Sequence, residues 1–136
     1  MSDNFESRFD EAFRLRDADR RSEALEILLA LEGANPKRAA LLGMIATLYR
    51  ELGDIEQSVK YFQRTVDISP RSELASLGVF HGLFALGRKN EAFAEMRRFM
   101  DRSDSPEYRR LMNDLNKTLS ENPERLTNLV DPPSRN

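Results

Sequence analysis

The chain has no cysteine and only one histidine, His81, among its 136 residues. Without cysteine there is no disulfide framework and no thiolate metal site. A lone histidine rules out His-rich metal arrangements, and a serine triad would have to run through His81, yet no serine stands on a nucleophile-elbow pattern. There is no phosphate-cradling glycine loop and no HExxH. No apolar run approaches the roughly 20 residues needed to cross a membrane, and the opening MSDNFESRFDEAFR is acidic and polar with no apolar signal core. The charges nearly balance, 21 basic against 23 acidic, so no overall field is available to hold a polyanion. The expectations are a soluble, cytoplasmic, non-enzymatic protein that takes no cofactor or metal and binds neither nucleic acid nor membrane.

The few glycines and prolines fall at regular intervals. Gly87 follows Gly53 by 34 residues, and Pro70 follows Pro36 by the same 34. Between such breaks apolar residues recur at helical spacing, and no stretch alternates like a strand. Seven helices are expected, at about 4–16, 21–32, 36–52, 54–68, 70–86, 90–101 and 106–120. Asn35, Ser69 and Ser105 are read as N-caps, with Pro36, Pro70 and Pro106 at the first helical position. Gly53 and Gly87 are suited to the left-handed residue that ends a helix. Connections this short force neighbouring helices antiparallel.

A 34-residue period of helix pairs is the mark of stacked hairpins. Residues 39–72 resemble a tetratricopeptide repeat. Leu42, Ile45, Ala46 and Tyr49 meet the pattern of its first helix; Ser58, Phe62, Thr65 and Pro70 meet that of its second. Flanking copies at 5–38 and 73–106 match more loosely, with Arg8 and Glu11 where bulky apolar residues belong and Phe80 where a small one does. The resemblance implies an all-α, right-handed superhelix of antiparallel hairpins: one domain over 1–120, with a capping helix at 106–120 and a tail at 121–136.

The same resemblance implies a concave wall built by the first helix of each pair, and hence a groove that takes a protein or peptide partner. In this register the wall includes Phe9, Phe13, Arg16, Met44, Thr47, Arg50, Leu77, His81 and Phe84. Arg16 and Arg50, one repeat apart, would offer two guanidinium forks beside aromatics to a segment carrying carboxylates. Relatives that grip a chaperone's terminal carboxylate do so with a lysine and asparagine clamp. The matching positions here are Phe9, Phe13, Met44, Leu74 and Gly78, none of which donates such a bond, so that adaptor role is not expected.

Helix 70–86 is apolar nearly all round and must be covered on more than one side. Its cover could be the last helix, with its stripe of Tyr108, Leu111, Met112, Leu115 and Leu119, or the tail through Leu126, Leu129 and Val130, or a second copy, or a foreign partner. The sequence therefore predicts a dedicated chaperone, assembly factor or immunity protein. The alternative is a homodimer or larger homo-oligomer that buries its own apolar faces. Other motifs carry less. DRSDSPE (101–107) lacks the glycine and glutamate of a calcium loop, and NKT (116–118) is a chance sequon on a helix. Arg97, Arg98, Arg102, Arg109 and Arg110 read as a solvated face with local pairing to acids such as Glu95 and Asp101.

Overall fold

The computed structural model describes residues 2–121, with side chains from residue 4 onward, and among them every regular element is an α-helix. In chain order these are α1 (Ser2–Asp17), α2 (Arg21–Glu32), α3 (Ala39–Glu51), α4 (Ile55–Ile68), α5 (Glu73–Ala85), α6 (Lys89–Met100) and α7 (Pro106–Glu121). Consecutive helices from α1 to α6 pack pairwise, giving stacked antiparallel hairpins. The expected tail, with Leu126, Leu129 and Val130, lies outside the described residues.

The turn inside each hairpin repeats almost atom for atom. Asp19, Gly53 and Gly87, spaced by 34, all have positive φ, at 63°, 88° and 80°. The next amide in each case closes the helix end: Arg20 N–H donates to Leu15 O at 2.8 Å, Asp54 to Tyr49 O at 2.9 Å and Arg88 to Leu83 O at 2.9 Å. This six-to-one bond is the Schellman motif, which needs a left-handed residue and normally uses glycine. The first copy manages with an aspartate.

The turns between hairpins differ from expectation. Pro36 and Pro70 do not open helices; α3 starts at Ala39 and α5 at Glu73. Instead each proline occupies the second place of a four-residue turn, closed by Arg38 N–H to Asn35 O at 3.3 Å and by Ser72 N–H to Ser69 O at 3.0 Å. Proline's fixed φ suits that place as well as it suits a helix start. Asn35 is accordingly no N-cap: its amide donates back to Leu31 O at 2.9 Å. Ser72, not Ser69, caps α5, accepting from Ala75 N–H at 3.2 Å. Only Pro106 takes the expected first helical position, behind Ser105, which accepts from Tyr108 N–H at 3.1 Å.

Each proline turn is pinned by an arginine from the hairpin behind it. Arg64 donates to Pro36 O at 3.2 Å, and Arg98, again 34 residues on, donates to Pro70 O at 3.1 Å. Arg64 is itself held by Glu32 at 2.8 Å, which also accepts from Tyr61 at 2.7 Å.

Two apolar cores run along the stack. One joins α1, α2 and α3 around Phe5, Leu28, Leu41 and Ile45; the other joins α3 to α7 around Phe62, Val79, Phe80 and Phe99. On α3, Ile45 faces the first core and its neighbour Ala46 the second. Arg8 and Glu11, the misfits of the first copy, sit on the exposed side of α1 and pair with each other at 3.2 Å. Their equivalents Leu42 and Ile45 are fully buried because α3 has a hairpin before it. Among the described residues α1 has no hairpin before it, so this face of α1 stays in water.

Candidate functional site

α5 explains itself as a helix held on three sides. Gly78 and Gly82 let α4 come close: a Cβ on Gly78 would stand 2.5 Å from Phe62 Cδ2, and one on Gly82 would collide with Val59 Cγ2. α6 covers a second side. On the third, the start of α7 is bolted down by a buried polar chain. The single Ser76 hydroxyl hydrogen goes to Glu95 Oε2 at 2.7 Å, so Ser76 accepts from the Tyr108 hydroxyl at 2.8 Å. Arg98 completes the chain with two bonds to Glu95, at 2.9 and 2.6 Å. The expected local pairing of Arg98 with Glu95 is present, but Glu95 is only 7% exposed against 39% for the Arg98 side chain, so the carboxylate end of the pair is buried and braces α7. Burial pushes the Tyr108 phenol up to about 12, so it stays protonated and donating at neutral pH.

The remaining side of α5, together with α3 and α7, is open and carries two apolar depressions. The first lies between α3 and α5, about 270 Å³ in volume, lined by Ala40, Gly43, Met44, Thr47 and Leu74 with no ionisable side chain. The second lies between α5, α6 and α7, about 330 Å³, lined by Phe80, Phe84, Phe93, Met96, Leu111 and Leu115, with His81, Met112, Asp114 and Thr118 completing it. Leu74 is 65% exposed and Met112 41%; both sit on these linings.

Of the residues expected on the wall, Met44 and Thr47 come together in the first depression, and His81 and Phe84 in the second. Thr47 is buried and its hydroxyl is spent on Gly43 O at 2.9 Å. His81 is exposed, edge-on to Phe80 at 5.3 Å. Leu77 and Phe84 are half-buried and pack against the second core. Phe9 and Phe13 stand apart from both depressions, in a ring ladder with Phe5 at centroid spacings of 5.4 and 5.1 Å.

The paired guanidinium forks do not exist as expected. Arg16 is committed to Glu51 on α3, through Nε at 2.9 Å and through Nη2 as well, and Arg21 reaches the same carboxylate at 3.1 Å. The Arg16 hydrogen bond holds the Glu51 carboxyl below the usual carboxylate range. This brace ties the first hairpin to the second. Arg50 is exposed and has no acidic partner among the described residues; its guanidinium lies 5.4 Å from the Phe62 ring centroid. The α7 side of the wall was underweighted by sequence reasoning, because the apolar stripe of α7 reads as pure capping surface although only its first turn is fully covered.

Among the described residues no group of three or more His, Cys, Asp or Glu is placed to hold a metal ion, and no helix is long and apolar enough to cross a membrane.

Residues 39–72 match the tetratricopeptide repeat family model. The chain is 31% identical over 108 residues to Protein FlbA of Caulobacter vibrioides; the match takes in 79% of this chain and 18% of that protein, so the chain spans under a fifth of this curated relative. Among solved structures it is similar to the Yersinia enterocolitica type III secretion chaperone SycD in complex with a peptide of the translocator YopD. The TM-score is 0.72 at 14% identity, covering 89% of this chain and 93% of that one. It is also similar to the first TPR domain of Spaghetti (RPAP3) bound to the HSP90 peptide SRMEEVD, with a TM-score of 0.68 at 16% identity, covering 84% and 94%. Among the described residues the architecture is TPR-like: an all-helical stack of seven helices, consistent with three hairpins and a capping helix.

Proposed function

We propose that this chain is a non-enzymatic, cytoplasmic protein-binding module, a single repeat domain over 1–120, that takes an apolar segment of a partner protein along the open side of α5. The observation that carries this reading is the pair of apolar depressions flanking α5 on the same wall, one with no ionisable group in its lining. A singly exposed leucine would need no explanation, but apolar hollows on both sides of one helix point to an interaction surface. SycD, which has a similar fold, is solved with a peptide of YopD, and that supports a role as a dedicated chaperone or assembly factor, with an immunity protein the other member of the class.

The chemistry of the wall selects among partners. The clamp positions Phe9, Phe13, Met44, Leu74 and Gly78 offer no side-chain donor, and Gly78 is buried against Phe62. Arg16 is neutralised by Glu51. A peptide gripped through its terminal carboxylate finds no side-chain donor at these positions, whereas an apolar segment suits the two hollows.

Photo-crosslinking residues placed at Leu74 and Met112 test this, with Lys60 on α4 as the control on another face. The expected result is the same foreign protein attached from both wall positions and absent from Lys60, with attachment from Met112 lost on Leu74→Glu. Products formed only between copies of this chain would favour the homo-oligomer, and equal labelling from Lys60 would remove the wall as the site.

A further inference from the structure

We propose that the hollow between the α4–α5 turn and the end of α6 takes an acidic stretch of the partner protein, adjoining the apolar segment that lies along α5. This rests on the reading of α5 as a wall for an apolar segment and adds the chemistry of that segment's flank. The hollow has a volume of about 450 Å³. Pro70 and the buried Phe99 give it apolar ground, and every ionisable residue in its lining is an arginine: Arg71, Arg98 and Arg102.

The three arginines are not equivalent. Arg98 is used inside the fold, by Glu95 and by Pro70 O. Its counterpart one repeat earlier, Arg64, is used in the same way, by an acid and by Pro36 O. Arg71 and Arg102 have no such work: both are exposed and neither has an acidic partner among the described residues. One repeat back the place of Arg102 belongs to Ile68, so the turn does not require a cation there. The acids nearby are spent or lie elsewhere. Asp67 accepts from Gln63 at 3.1 Å, Asp104 pairs with Arg109 at 3.1 Å, and Glu73 and Asp101 line no part of the hollow. Two unpaired guanidinium forks at one concave place suit carboxylates. The N-terminus of α5, capped by Ser72, adds positive partial charge beside them.

Continuity assigns these carboxylates to the partner's segment. Ser69 and Ser72 line both this hollow and the α3/α5 depression. A segment seated beside Leu74 therefore passes over the turn directly onto Arg71 and Arg102. The depression has no ionisable side chain in its lining, so the segment changes character at the turn, apolar on one side and acidic on the other. The acids are side chains within the segment, and the cations that meet them stand outside the positions of a terminal-carboxylate clamp.

The test uses the full chain and the blocked peptides EDEE, QNQQ and LALLEDEE. EDEE should shift the side-chain Nε–H signals of Arg71 and Arg102, while those of Arg14 and Arg97, exposed outside the hollow, stay in place; QNQQ should shift none. LALLEDEE should bind at least about tenfold tighter than EDEE, because its second contact is intramolecular, and should also move the methyl signal of Met44 in the α3/α5 depression. Arg71→Gln/Arg102→Gln should weaken LALLEDEE about five- to tenfold with the Met44 shift kept at saturation. Arg14→Gln/Lys60→Gln, an equal loss of charge elsewhere, should not. Unmoved Arg71 and Arg102 signals overturn the proposal, as do shifts of the same size at Arg14 and Arg97, which would show general charge screening. EDEE bound in the hollow with no gain from the apolar half breaks the link to the α5 segment and overturns it too. Crosslinking from Leu74 and Met112 depends on none of these results, so the acidic flank can fail while the apolar wall stands.

Discussion

Gly78 and Phe62 are in such close contact that α5 lies against α4 with no room for a methyl group: a Cβ on Gly78 would meet Cδ2, Cε2 and Cγ of the ring at 2.5 to 2.6 Å. Phe62 is fully buried, so the ring cannot swing away. Gly78→Ala should therefore destabilise by about 1–3 kcal/mol through overpacking, despite alanine's better helix propensity. Phe62→Ala should cost about 3–5 kcal/mol by leaving a cavity. In the double variant the new methyl group fills part of that cavity, so urea midpoints should show a combined loss smaller than the sum. Additive losses would mean that the two helices are not in this contact.

Tyr108 anchors the capping helix through one hydroxyl. Tyr108→Phe keeps the ring against Phe80 and Phe99 but removes the bond to Ser76 in a buried site. The expected loss is about 1–2 kcal/mol. Hydrogen exchange should locate it, with faster exchange across α7 and little change in α1 and α2. Uniform acceleration along the chain would show that α7 is not a separately docked element.

How much of this was legible in advance follows from which interactions are local. The left-handed glycines, the helix count and the middle repeat were visible because turn chemistry and apolar spacing are written within a few residues. The proline turns were misread because proline satisfies both a helix start and a turn's second position, and only the backbone bonds that close the turns ahead of Ala39 and Glu73 show which applies. Arg16 was read as free because its partner Glu51 lies 35 residues away, in a different hairpin. Glu95 looked like a surface acid for the same reason: the Tyr108 and Ser76 that share its buried site come from α7 and α5.

Asp19 occupies a position that its two equivalents give to glycine. A non-glycine residue in the left-handed region costs roughly 1 kcal/mol, somewhat less for aspartate. Its side chain pairs with Arg21 but is 82% exposed, so that pair contributes little. Asp19→Gly should raise stability by up to about 1 kcal/mol in thermal unfolding, while Gly53→Ala and Gly87→Ala lower it by about 1–2 kcal/mol. A destabilised Asp19→Gly would assign Asp19 a role beyond closing the α1 turn.

The brace between the first and second hairpins should make stability depend on acid. Glu51 has its carboxyl lowered in the folded state, chiefly by the hydrogen bond from Arg16, with Arg21 adding to it and burial opposing. A carboxylate lowered by folding gives stability that is present above its unfolded value, near pH 4.3, and is lost as pH falls through the folded value. Because the pair is partly solvated, its contribution is about 1 kcal/mol or less. Glu51→Gln should therefore lower the urea midpoint at neutral pH, and its deficit relative to the parent chain should shrink as pH is taken well below 4.3. Arg16→Gln should follow the same course, since it removes the other half of the pair. A deficit that stays constant across that range would mean that the two side chains act by packing, and that charge pairing does not hold the first hairpin in register.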